Sequence, residues 1–79
     1  MHTEKVNLNE ILHILKEVGK IEGEIPPESD IYAELGVESV NSISILLALE
    51  EKFSIAIDDN AFIQARTLQK LVELVSSAK

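Results

Sequence analysis

Three groups of residues in this 79-residue chain have types and spacings that could do chemistry. His13 and Glu17 stand four residues apart, one helical turn, which is a spacing that metal ligands use. Two ligands are too few for a site, and no His-Glu-x-x-His pattern is present. A solvated histidine on a polar helix face is the expected outcome. Asp58, Asp59 and Asn60 match the opening of a calcium loop, but the alternating acids, central glycine and closing glutamate are missing. They read better as a helix cap. The third group is Leu35-Gly36-Val37-Glu38-Ser39-Val40, where a glycine turn leads to an acid and then to a serine at the start of a helix.

Two readings of Ser39 stay open on this segment. Serine is among the best N-caps, and a cap alone explains its presence. The same geometry also exposes a hydroxyl where the helix dipole favours negative charge, so a phosphodiester carried there would be stabilised. Glu38 beside it would then hold a metal ion or a basic group of a modifying enzyme. Val40, Ile43 and Leu47 would lie next to whatever is attached.

Composition removes most other chemistry. There is no cysteine, so thiolate nucleophiles, thiolate metal sites and disulfides are excluded, and any thiol must come from a cofactor. No Gly-x-Ser-x-Gly elbow supports a hydrolase, and the glycines at 19, 23 and 36 are too scattered for a phosphate loop. No metal site is expected. Seven basic and fourteen acidic residues give a net charge of −7, which a nucleic acid or an anionic membrane would repel. A basic protein surface is the natural partner. The longest apolar run, Ile45 to Leu49, is far short of a membrane span. The first residues, Met1 to Lys5, include an acid and lead into no apolar run, so no signal peptide is expected and the cytoplasm is the expected location.

The elements that must position Ser39 follow from periodicity. A first helix is predicted over about Leu8–Val18, capped by Asn7 with Glu10 completing a capping box and Gly19 ending it. Leu8, Ile11, Leu12, Leu15 and Val18 fall on its apolar face. Residues 20–38 form a long acidic connection broken by Gly23 and Pro26-Pro27, with one short turn over Asp30–Leu35 that points Ile31 and Leu35 inward. A second helix runs from about Ser39 to Phe53, capped by Ser39 or Glu38. Leu46, Leu49 and Phe53 share its core face, while Val40, Ile43 and Leu47 widen the apolar arc beside it and Ile45 adds more. Phe53–Ile57 is an extended loop in which Ile57 plugs the core. A short helix follows over Ala61–Gln64, and a last one is capped by Thr67 with Leu68, Leu71, Val72 and Val75 inward. The fold class is therefore all-α: a single-domain bundle of three to four helices, with loose ends at 1–6 and 77–79.

With these residues in place, the sequence resembles the acyl carrier protein family, the phosphopantetheine-bearing domain of fatty acid, polyketide and related pathways. The resemblance runs from about Leu8 to Val75. The family's Asp-Ser-Leu triplet becomes Glu38-Ser39-Val40. Its Ala-Leu-Glu-Glu-x-Phe segment is Ala48-Leu49-Glu50-Glu51-Lys52-Phe53, and its following isoleucine is Ile57. The resemblance implies a carrier rather than an enzyme. Ser39 would receive 4′-phosphopantetheine from coenzyme A through a phosphopantetheinyl transferase, and the arm's thiol would hold an acyl group as a thioester. Partner enzymes with basic docking patches, loading and acyl-processing enzymes among them, would meet Glu38, Val40, Asn41, Ile43, Leu47, Glu50 and Glu51. A monomer is expected.

The departures from the family are informative. Glu38 is one methylene longer than the usual aspartate. Asn41 and Ser44 stand where many fatty-acid carriers keep acids, and Lys52 interrupts the acid run. They point to a specialised discrete carrier. A stand-alone aminoacyl or peptidyl carrier is the alternative within the family, and a cofactor-free helical interaction module is the alternative from another class.

Overall fold

Four stretches of helical periodicity become four helices in the computed structural model, which describes the backbone of residues 3–78 and the side chains of residues 8–78. They are α1 (Thr3–Glu17), α2 (Ser39–Phe53), α3 (Asp59–Gln64) and α4 (Leu68–Ala78). No strand occurs among the described residues; one isolated antiparallel bridge joins Asp30 to Thr67. The expectation of an all-α bundle holds. Met1, His2 and Lys79, all within the ends expected to be loose, lie outside the described residues.

Helix α1 packs against both α2 and α4, and α3 packs against α4. Each of the three longer helices supplies residues one turn apart to a shared core. Ile11 and Leu15 from α1, Ile45 and Leu49 from α2, and Leu71 and Val75 from α4 are fully buried. That i, i+4 spacing is what places two side chains on one helix face. The loops contribute as well: buried Ile21, Ile25, Ile31 and Val37 fix the long connection to the bundle, and buried Ile57 fixes the loop after α2.

Several boundaries and faces differ from expectation. Helix α1 begins at Thr3, so Asn7 lies within it and does not cap it. Glu10 completes no capping box; its carboxylate meets Lys52 Nζ at 3.0 Å and ties α1 to α2. Ile14, absent from the predicted stripe, is buried, whereas Leu8 is on the exposed edge. Helix α3 starts two residues earlier than expected, at Asp59, and Asp58 caps it by accepting the Ala61 N–H at 3.0 Å. Thr67 caps α4 as expected, its Oγ1 accepting from Lys70 N at 3.2 Å.

Gly19 ends α1 for a reason other than conformational freedom. It is Lys20 that adopts the left-handed region, with φ 62°. A Cβ on Gly19 would stand 2.6 Å from the Leu15 carbonyl oxygen and 3.1 Å from Ile45 Cδ1. Glycine is needed there because the last turn of α1 closes on this position while Ile45 of α2 packs beside it.

On α2 the core face is centred on Ile45 and Leu49, with Leu46, Ala48 and Phe53 only partly covered. Val40, Ile43 and Leu47 do not widen that face. They are 66%, 61% and 59% exposed, a separate apolar stripe turned to solvent.

Candidate functional site

The chain reaches Ser39 through a tightly pinned turn. Asp30 Oδ1 accepts the N–H groups of Tyr32 and Ala33, each at 2.8 Å, and so starts the turn over residues 30–35. Carbonyls of Asp30 and Tyr32 then take the amides of Glu34, Leu35 and Gly36. Gly36 has φ 82°, a conformation that costs a glycine little and reverses the chain. Val37 is buried, and its N–H donates to the Ile31 carbonyl at 2.9 Å. The chain emerges at Glu38 and Ser39 with its direction fixed from below.

Glu38, and not Ser39, is the N-cap of α2. Its backbone is extended (φ −84°, ψ 154°), and its carbonyl accepts the Asn41 and Ser42 amides at 2.9 and 3.0 Å. Its carboxylate makes no capping hydrogen bond. Ser39 is the first helical residue. Its side chain is exposed, and its hydroxyl makes no hydrogen bond among the described residues. The cap explanation for a serine at this position is thereby removed. Ser42, three residues on, donates its hydroxyl to the Ser39 carbonyl at 2.6 Å, which steadies this first turn while leaving the Ser39 hydroxyl free.

Beside Ser39 lies a cleft of about 670 Å³ between α2 and α3. Ser39, Ile43 and Leu46 line it from α2, and Phe62 and Ile63 from α3. Ile63 is 62% exposed, so the apolar surface continues from the cleft outward.

An ion pair holds the far side of the site. Arg66 Nε donates to Asp30 Oδ2 at 2.7 Å, and its Nη2 donates to Oδ1 at 3.3 Å. The guanidinium lies 4.8 Å over the Tyr32 ring, and the Arg66 carbonyl accepts the Ile31 amide at 2.9 Å. The Arg66 hydrogen bond, then the Ala33 amide, lower the Asp30 carboxyl to about 2. The same hydrogen bond raises Arg66, and burial raises the Tyr32 phenol. None of Asp30, Tyr32 and Arg66 was marked as a site residue by the sequence.

These observations test whether a phosphopantetheine arm suits the residues present. The arm needs a free hydroxyl, room beside it and a field tolerant of a phosphodiester anion. An unpartnered Ser39 at the first position of a 15-residue helix, beside a partly apolar cleft, meets all three.

A family model for the phosphopantetheine attachment site matches residues 9–75. The chain belongs to that family. Members of the family carry a covalently attached 4′-phosphopantetheine group and work with the enzymes that modify and process them. The fold agrees: a solved structure named "a putative acyl carrier protein" (Rv0033), from Mycobacterium tuberculosis, superposes with a TM-score of 0.82. The two are 18% identical, and the match covers 90% of this chain and 96% of that one. This phosphopantetheine carrier domain thus keeps the family's helical frame with a largely different sequence.

The remaining residues expected at the site divide into two sets. Val40, Ile43 and Leu47 share the exposed side of α2, and Glu51 is exposed as well. Glu38 is exposed and Asn41 half-buried at the start of the helix. Glu50 is different: its Oε2 accepts the Ile57 N–H at 2.9 Å, so it also braces the loop after α2. Lys52 does not interrupt the exposed face, because it reaches toward Glu10 on α1. His13 and Glu17 are both exposed on α1, the solvated arrangement expected of this pair. No described helix is long and apolar enough to cross a membrane.

Proposed function

We propose that this carrier domain is a discrete acyl carrier protein in which Ser39 bears the 4′-phosphopantetheine arm. One observation carries the reading. The Ser39 hydroxyl is exposed, unpartnered and set at the first residue of α2, beside a cleft with room for an acyl chain. On a transferase, the Ser39 oxygen attacks the phosphorus of coenzyme A that bears the pantetheine. A new P–O bond forms at Oγ, the pyrophosphate P–O bond breaks, and adenosine 3′,5′-bisphosphate leaves. The hydroxyl proton passes to a base on the transferase. Bound there, the arm supplies the thiol that this cysteine-free chain lacks.

The chain's own contribution is then presentation, with no catalysis of its own. The anionic phosphodiester lies at the positive end of α2. Val40, Ile43 and Leu47 form an apolar docking stripe, with Glu38, Glu51 and the outer edge of Glu50 for basic partner surfaces and Asn41 among them. Neutral Asn41 and Ser44 make this face less negative than a long run of acids would, which supports service to a specialised lipid or envelope pathway. The cytoplasmic location expected from the sequence goes with this reading.

Intact-mass analysis after incubation with a broad-specificity phosphopantetheinyl transferase, coenzyme A and magnesium tests the proposal. Wild type gains one phosphopantetheine, and Ser39→Ala gains none. If neither protein gains mass with this or a second transferase, and the purified starting material is unmodified, the chain is a cofactor-free interaction module instead.

A further inference from the structure

We propose that the α2–α3 cleft favours acyl groups bearing a neutral oxygen function, a hydroxyl or keto group, over plain alkyl chains, with Tyr32 and Arg66 as specificity-determining residues. The inference rests on the carrier reading above and names the class of cargo for it.

The cleft has two kinds of lining. Ile43, Leu46, Phe62 and Ile63 present only apolar surface. Tyr32 and Arg66, which carry polar groups, line the same space from the loop before α2 and the segment after α3. Arg66 uses Nε and Nη2 on Asp30, and its Nη1 makes no hydrogen bond among the described residues. Neither does the hydroxyl of the half-buried Tyr32. The ring and the guanidinium stack at 4.8 Å, so the two free polar groups belong to one stacked pair.

A plain alkyl chain lying over that pair would cover both groups and give them no partner, which is unfavourable. An oxygen on the acyl chain supplies the acceptor. The phenol can donate or accept, so a hydroxyl or a keto oxygen serves. Charge narrows the class further. Asp30 already balances Arg66, and Asp59 adds a carboxylate to the lining, so an anionic cargo finds no net positive charge. An ammonium group would meet Arg66. A neutral oxygen function is what this lining accommodates, and sites that hydrogen-bond a cargo group discriminate against its absence more sharply than apolar fit does.

The test loads the full chain with hexanoyl, 3-hydroxyhexanoyl or β-alanyl pantetheine, with loading confirmed by intact mass. Hydroxylamine cleavage of each thioester is then timed against the same thioester on free pantetheine. The 3-hydroxyhexanoyl arm should be shielded at least about fivefold more than the hexanoyl arm. Tyr32→Phe keeps the ring under Arg66 and should lose that difference while its melting temperature holds. Equal shielding of the two acyl arms, strongest shielding of β-alanyl, or a difference that persists in Tyr32→Phe would overturn the inference and leave the carrier reading intact. Failure of the chain to accept any arm, visible in the mass before cleavage begins, would overturn both.

Discussion

Glu50, in the last turn of α2, holds the backbone amide of Ile57 at 2.9 Å, seven residues further on. One carboxylate thereby closes the loop that carries a core plug, since Ile57 is buried. Its neighbour Glu51 is exposed, and its side chain makes no hydrogen bond or ion pair among the described residues. Two adjacent acids, alike in sequence, therefore have separable jobs.

The separation is measurable. Glu50→Ala should cost about 1–2 kcal/mol, because a charge-assisted hydrogen bond to a half-buried amide is lost. Glu51→Ala should stay within about 0.5 kcal/mol of wild type. Its effect should appear instead as slower association with a basic partner enzyme at low salt. Urea denaturation and stopped-flow binding of the two variants provide the comparison. Equal stability losses would contradict the assignment.

Glu38 is an N-cap whose side chain does no capping. Its extra methylene, compared with aspartate, is the physical reason, since the best caps are short. Glu38→Asp should stabilise the protein by about 0.5–1 kcal/mol through a hydrogen bond to an amide in the first turn of α2. Thermal or urea unfolding reads this directly, and a neutral or negative change would contradict it.

Asp30 is held at about 2 against an ordinary 3.8, chiefly by Arg66. A carboxyl lowered on folding stabilises above its unfolded value and loses that contribution as pH falls toward its folded value. Replacing the carboxylate with an asparagine amide would keep an acceptor for the turn and remove the charge. The stability gap between wild type and Asp30→Asn should therefore be level from pH 7 to about 4 and close between about pH 4 and 2. Urea midpoints across that range test it; a gap that grows with acid would be the wrong sign.

A methyl group at position 19 would collide with the Leu15 carbonyl oxygen at 2.6 Å. The obstacle is backbone, so it cannot swing aside. Gly19→Ala should cost about 1–3 kcal/mol by distorting the end of α1 and crowding Ile45 of α2. An unchanged urea midpoint would show that this junction is looser than the geometry indicates.

Local signals were the legible ones. Caps such as Asp58 and Thr67 reach three residues along the chain, so their sequence context shows them. The buried face of α4 follows in large part from residue spacing, whereas on α2 it is Ile45, rather than Leu46 or Phe53, that joins Leu49 in the core. The start of α1 misled because Asn7 is a good cap by type, while the helix extends back past it to Thr3. Whether Ser39 or its predecessor caps α2 is a one-residue question that type alone leaves open, yet it decides whether the hydroxyl is free. The Asp30–Arg66 pair spans 36 residues, and the cleft is assembled from several separate segments. Neither has a signature in any single stretch, so Tyr32 and Arg66 were invisible as site residues.

The central claim is that α2 presents a free hydroxyl at Ser39 for the arm. Fragmentation mass spectrometry of the loaded wild-type protein tests it most directly, alongside the stability of Ser39→Ala. The adduct should sit on Ser39, and the alanine variant should fold within about 0.5 kcal/mol of wild type, since no cap bond is lost. An adduct on Ser42 or another serine would contradict the claim, as would a Ser39→Ala variant that still takes the arm.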